Sequence, residues 1–339
     1  MVLKQSYYNL YQTQLRRDIQ TKVYHKEFLT IHIFGKDYFG IIKSKKIGPI
    51  RIARYQIMGV QLPDDEEFVK SELQKLNETY GSQWGNISFQ FGFINEIISF
   101  ENCGVREGEF TESIKQMRLN LREKIAKKYG LKLAFRENMP QSNIIYDITK
   151  TDEQLIEEMN SGAKEKIKKG IKKEIAFRIA EVSEYETFYE KRSKVAHGKG
   201  FNPVSKKQFF DLMYYLTETG KGKIFITELD GEIVSGNICL FDDGHLIYLY
   251  GFAQRGNNNT GGQQYLKFKI FQRARENGYF YLDMLGGAPT GFPEHPLTSV
   301  SQFKESLGGS KIELYGNFDL VLNSFLYKIF KKYYEMRHK

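Results

Sequence analysis

Apolar positions along this chain follow two periods, and the switches between them divide it into two halves of similar plan. From Phe28 to Gly59 the runs "FLTIHIF", "DYFGIIKS" and "IRIARYQIMG" are rich in Ile, Phe and Tyr. Turn residues separate them, which predicts a meander of strands. Before it, residues 4–22 read as a polar helix. After it, "PDDEEFVKSELQKLNETYG" opens on Pro63 and acidic residues, which suit the positive end of a helix, and closes on Gly81. The run "NISFQFGF" then reads as a strand.

The same order returns further on. Residues 182–197 and 205–218 read as helices. The strands "KIFITEL", "EIVSGNICLF" and "HLIYLYGFA" follow, joined at Asp230-Gly231 and at Asp242-Asp243-Gly244, and Asp-Gly between alternating runs is a strong hairpin signal. A glycine-rich loop, Gly256 to Gly262, leads into the helix "QQYLKFKIFQRARENG" and the strand "YFYLDMLGG". One α/β plan met twice predicts a duplicated fold.

Between the copies Thr151 and Gln154 fit a capping box, and Ile156, Met159, Ala163, Ile167 and Ile171 fall on one helical face. The rest is basic, with Lys164, Lys168 and Lys172 one turn apart. Two readings fit this stripe: a solvated helix face, or a contact for phosphate or RNA that relieves the crowding of cations.

Composition narrows the field. The 339 residues suffice for two domains, and 41% hydrophobic with 27% charged residues is an ordinary globular mixture. A formal net charge of +9 favours polyanionic partners without choosing among RNA, phosphates and anionic lipid. Two cysteines, Cys103 and Cys239, and six scattered histidines argue against a disulfide scaffold and a zinc site. The polar start lacks the apolar core of a signal peptide, and no window approaches the roughly 18 apolar residues of a membrane span, so a cytoplasmic location is expected.

Two segments then carry a family resemblance. "YDITKTDEQLIEEMNSGAKEKIKKGIKKEIAF" resembles the linking helix of the Fem family of tRNA-dependent aminoacyltransferases, and "YLDMLGG…SVSQFKESLGGSKIELYGNFDLVL" resembles that family's C-terminal signature. "MPQSNIIYDI" and "MGVQLPDDEE" look like further family segments. The resemblance implies an α/β (α+β) fold of two tandem GNAT-like domains, mixed sheets flanked by helices. Without sustained heptads, no coiled-coil arm is expected. The expected division is a first domain over 1–148, a linking basic helix over 149–175, a second domain over 176–319 and an amphipathic C-terminal helix over 320–339.

The implied reaction moves an amino acid from aminoacyl-tRNA to the peptide amine of a lipid- or UDP-linked peptidoglycan precursor. Aminoacyl-tRNA is then a co-substrate and no cofactor is needed. Matched to the family's motifs, Lys304 and Phe303 are candidates for the catalytic Phe-Lys pair, and Asp283 for the aspartate at a strand end. Lys164 and Lys168 become candidate ligands of the acceptor's diphosphate. Lys22 is a second phosphate contact and Tyr250 a further substrate contact. Glu96 is the carboxylate nearest the family's general-base region, with an ordinary surface role as the alternative. His197 reads as a base or a helix-end residue. The C-terminal stretch "FLYKIFKKYYEMRHK" reads either as a helix packed on the second domain or as one resting on an anionic membrane. Two other functions stay open: an acetyl-CoA-dependent N-acyltransferase, against which the degenerate glycine loop argues, and a non-catalytic RNA- or membrane-binding relative.

Overall fold

The computed structural model describes residues 9–100, 108–198, 202–253 and 261–337. Cys103 and most of the glycine-rich loop lie outside them. The first half contains α1 (Gln14–Asp18), β1 (Phe28–Ile33), β2 (Lys36–Ile47), β3 (Ile50–Val60), α2 (Glu66–Gly81), β4 (Asn86–Phe100), α3 (Gly108–Lys128), the short β5 (Lys132–Leu133) and β6 (Ser142–Asp147). Then come α4 (Asp152–Glu158), α5 (Ser161–Lys172), β7 (Ala176–Ile179), α6 (Tyr185–His197), α7 (Lys206–Thr219), β8 (Gly222–Leu229), β9 (Glu232–Asp242) and β10 (His245–Ala253). The chain ends through α8 (Gly262–Glu276), β11 (Tyr281–Gly286), α9 (Thr298–Glu305), β12 (Ser310–Val321) and α10 (Ser324–Arg337).

Local chemistry explains the boundaries. Asp65 caps α2 by accepting from the Phe68 N–H at 3.0 Å. The β8–β9 turn places Asp230 and Gly231 at φ 53° and 77°, and the β9–β10 turn places Asp243 and Gly244 at 38° and 73°. Two successive left-handed residues give the hairpin its matching twist, which is why Asp-Gly stands at both.

Among the described residues, twelve strands form one sheet in the order β1-β2-β3-β4-β12-β6-β11-β10-β9-β8-β7, with β5 pairing to β12. Chain order and spatial order part company at its centre. β12, from the second half, lies antiparallel between β4 and β6. β6, from the first half, pairs antiparallel with β11 of the second. Each half thus lends its last strand to the other, and no break in hydrogen bonding separates them.

Three expectations are corrected. The linking helix over 149–175 is two helices: Met159 (ψ 150°) and Asn160 (ψ 165°) are extended. The Asn160 N–H donates to the Ser306 carbonyl at 3.0 Å, and its side chain caps α5 through the Ala163 N–H at 2.8 Å. Met159, Ala163 and Ile167 stay buried as the spacing predicts, joined by Leu155, while Ile171 in the last turn of α5 is 55% exposed. The N-terminal helix reduces, within the described residues, to a 3-10 turn at Leu10–Gln12, α1 and a π-helical turn at Ile19–Val23. Thr13 breaks it, its side chain capping α1. Finally, α10 packs on the first half rather than on the second, through Leu326 and Tyr327 against Ile87, Ile52 and Phe135.

In the second half the sheet is covered on both faces. On one, α5 and α8 bury Ala163, Ile167, Leu266 and Phe271 against Cys239, Leu246, Leu282 and Met284. On the other, α6, α7 and the N-terminal segment bury Phe188, Leu212, Leu15 and Ile19 against Ile238, Ile247 and Phe252.

Candidate functional site

Parallel strands β3 and β4 stay paired from Ala53/Asn86 to Val60/Phe93. Their counterparts β10 and β11 pair only at His245/Tyr281, Leu246/Leu282 and Ile247/Asp283. Beyond that point β10 shifts register between Tyr248 and Tyr250, and β11 shifts between Asp283 and Gly286. The second half therefore contains a wedge that opens between two parallel strands, where backbone groups and side chains are released from the ladder.

The β11 side of the wedge is held under strain. Leu285 has φ 58°, a left-handed conformation that is costly for a residue with a branched side chain. Asp283 accepts the Leu285 N–H at 2.6 Å. Lys304 of α9 donates to the carbonyls of Met284, Leu285 and Gly286 at 2.5, 3.3 and 2.6 Å. With three carbonyls on three ammonium protons, Lys304 fixes the strand end. Burial pushes its pKa down to about 8 against the opposing charge of Asp283. Burial likewise pushes Asp283 up to about 6, opposed by the Leu285 N–H and by Lys304. Phe303 is half-buried against the α5/α8 core, on the helix that delivers Lys304.

The β10 side carries polar groups that the fold leaves unmet. Asn237 stands opposite Gly251 in the β9–β10 register, fully buried, and among the described residues neither its Oδ1 nor its Nδ2 has a hydrogen-bond partner. A Cβ at Gly251 would overlap Asn237 Oδ1 and lie 2.7 Å from the Tyr248 hydroxyl, so glycine keeps that space open. Lys267 of α8 is 1% exposed and its Nζ has no hydrogen-bond partner among the described residues; it lies 3.4 Å from the centre of the Tyr248 ring. Burial, and then the nearby Lys304, push its pKa well below the ordinary lysine value, against the pull of Cys239. These groups share the α5/α8 face. Through the opening, Arg192 of α6 lies 4.3 Å over the ring of Tyr250, with Nη1 unpartnered among the described residues, and Tyr24 lies near Tyr250, whose hydroxyl adds to the effect of burial in raising the Tyr24 pKa. An enclosed polar atom without a partner carries a desolvation cost. Asn237, Lys267 and Arg192 bring such atoms to one strand opening, which makes it the candidate site.

The structure thus brings together Asp283 and Lys304 at the end of β11, with Phe303 beside Lys304 on α9, and sets Tyr250 on β10 in the hydrophobic cluster that also takes in Leu285. It sets the other candidates on two faces. Lys164 and Lys168 lie on α5; Lys164 donates to the Glu157 carbonyl at 3.1 Å, and Lys168 is exposed. α5 abuts the start of α8, since a Cβ at Gly261 would overlap the Lys166 carbonyl. Lys22 lies on the opposite face, two residues before Tyr24, and is ion-paired to Asp18 at 3.0 Å. Glu96 is exposed on β4, and His197 is exposed in the last turn of α6. Sequence reasoning passed over Asn237, Lys267, Tyr248 and Arg192. The signals were faint: a Lys at i with buried Ile270 and Ala274 at i+3 and i+7, and Ser235 and Asn237 alternating in an otherwise apolar strand. Among the described residues no group of His, Cys, Asp and Glu could hold a metal ion.

The sequence pattern of the Acetyltransferase (GNAT) domain family matches residues 161–294, the stretch that forms the wedge. A comparison with curated proteins finds no match. Among solved structures, the crystal structure of FemX superposes with a TM-score of 0.69 at 16% identity, covering 95% of this chain and 94% of that one. A conserved protein of unknown function from Bacteroides thetaiotaomicron VPI-5482 superposes with a TM-score of 0.51 at 14% identity, over 94% of this chain and 93% of that one. The succession of strands, the GNAT match over the second half and the end-to-end superposition agree: this chain has a Fem-like GNAT fold.

Proposed function

We propose that the protein is an aminoacyltransferase that moves an amino acid from aminoacyl-tRNA to the peptide amine of a peptidoglycan precursor. The observation that carries the reading is the wedge between β10 and β11, with unmet polar atoms of Asn237 and Lys267 on one face and of Arg192 on the other. An opening through a sheet lets two substrates meet from opposite sides without sharing a channel. The aminoacyl ester enters from the α5/α8 face, where Asn237 donates to its carbonyl oxygen as negative charge develops. The acceptor peptide enters from the α6/α7 face past Arg192, Tyr24 and Tyr250.

The amine nitrogen attacks the ester carbon, the C–O bond to the tRNA ribose breaks, and the 3′-oxygen leaves as a hydroxyl. Asp283, raised to about 6, is the carboxylate that accepts the proton from the amine and passes it to the departing 3′-oxygen. Lys304 acts by holding the strained strand end that presents it. On this reading Lys164 and Lys168, matched in the sequence to the acceptor's diphosphate, instead contact tRNA phosphates at the α5/α8 mouth of the wedge, and Lys22 contacts the acceptor's phosphate at the other mouth.

A second reading, N-acylation from acetyl-CoA, is favoured by the GNAT match over 161–294. Labelled aminoacyl-tRNAs and labelled acetyl-CoA, each offered with lipid-linked and UDP-linked muropeptides, separate the two. Transfer from tRNA, lost in Asn237→Ala, is expected. Transfer from coenzyme A alone would replace the first reading with the second.

A further inference from the structure

We infer that α10 is a docking face for an anionic membrane surface. The helix divides its circumference among three roles. Leu326 and Tyr327 are buried against Ile87 and Phe135, and the Tyr327 hydroxyl donates to Asp319 at 2.7 Å, which fixes the helix to the first half. Phe325, Ile329 and Met336 are turned the other way and are 65%, 51% and 69% exposed; Tyr333, on the same stripe, is 54% exposed. These positions recur at one-turn spacing and form an apolar strip along the outer side of the helix. Trp84 extends it: the Asn323 side chain donates to the Trp84 carbonyl at 2.9 Å, and the indole is 54% exposed.

Charge selects the occupant. Lys328, Lys331 and Lys332 are exposed on the third side of the helix, and the acidic residue of that turn, Glu335, sits 3.8 Å from Lys331. An apolar strip bordered by lysines matches the boundary between acyl chains and anionic headgroups, which takes both surfaces at once. A protein partner would need a complementary acidic rim around an apolar groove. A single bilayer surface supplies both without special shape. No helix among the described residues is long and apolar enough to cross a membrane, so the contact is peripheral.

The full chain is tested against vesicles of phosphatidylcholine alone and of phosphatidylcholine mixed with phosphatidylglycerol. Trp84 is the sole tryptophan, so its emission reports this face alone. Co-sedimentation with the anionic vesicles, weakened by salt, and a blue shift of Trp84 emission are expected. The double substitution Phe325→Ser with Ile329→Ser should lower the bound fraction by about fivefold or more at unchanged thermal stability, because both side chains are already in water. Lys328→Gln with Lys332→Gln should remove the preference for anionic lipid. Equal binding to both vesicle types, or unshifted emission at saturating anionic lipid, overturns the inference. So does a homodimer that the serine substitutions dissolve while vesicle binding stays intact.

Discussion

Arg118 of α3 and Glu313 of β12 form an ion pair in which both side chains are fully enclosed. Arg118 also donates to the Leu314 carbonyl at 2.8 Å and to the Gln141 side chain at 3.1 Å, and Glu313 accepts the Thr290 N–H at 3.1 Å. The pair fastens a helix of the first half to the strand that the second half lends it. Removing one partner leaves a buried charge uncompensated, so Arg118→Met should lower the unfolding free energy by about 3–5 kcal/mol. Arg118→Met combined with Glu313→Leu should cost less than the single change. Urea unfolding of the two variants checks both statements, and a double variant weaker than the single one would contradict the account.

Lys304 was expected to act on substrate, and in the structure its protons are committed to three carbonyls of β11. Lys304→Met strands those carbonyls in a closed site and should reduce stability by about 3 kcal/mol, well beyond the half kcal/mol typical of a surface change. Denaturant melts read this directly, independent of any substrate.

Asp283 gives a pH dependence of defined sign. Its carboxyl rises from 3.8 to about 6 because burial disfavours the charged form. An acid raised in the folded state binds its proton more tightly there than in the unfolded chain. Its contribution to stability is therefore most favourable below about 4, declines as pH climbs to about 6, and is constant above. Asp283→Asn keeps an oxygen for the Leu285 N–H and removes the titration. Relative to the parent, the variant should gain up to about 3 kcal/mol between those limits. Paired unfolding curves at pH 4 and pH 7 measure the difference, and a constant difference would sink the assignment. On the proposed mechanism the same variant loses transfer by about a hundredfold or more.

The α5 lysines test the proposed phosphate contacts. Lys164→Ala with Lys168→Ala removes two cations from the mouth on the α8 side. If they meet tRNA phosphates, the slope of log affinity against log salt should fall by about 1–2. Filter binding across a salt series decides it, and an unchanged slope returns the stripe to a solvated helix face.

The elements themselves were legible in the chain. The Asp-Gly turns, the Asp65 cap and the capping box at Thr151 act over a few residues, and each appears where the pattern puts it. The repeat of strand, helix and strand was legible for the same reason, since period and turn chemistry are local. Local rules could not reach the exchange of β6 and β12, which depends on which strand edge meets which across more than 150 residues. They also missed the break at Asn160, whose helical periodicity is overruled by a hydrogen bond to Ser306.

The candidate site divides the same way. Motif spacing singled out Asp283, Phe303 and Lys304 as neighbours in purpose. Whether the Lys304 ammonium faces a substrate or a backbone was decided only when α9 folded under the end of β11. Asn237, Lys267 and Arg192 come from three elements and were ordinary residues until packing took away their water. A residue's type and its neighbours in sequence set what it can bond; burial and the strands beside it set what it is left to bond with.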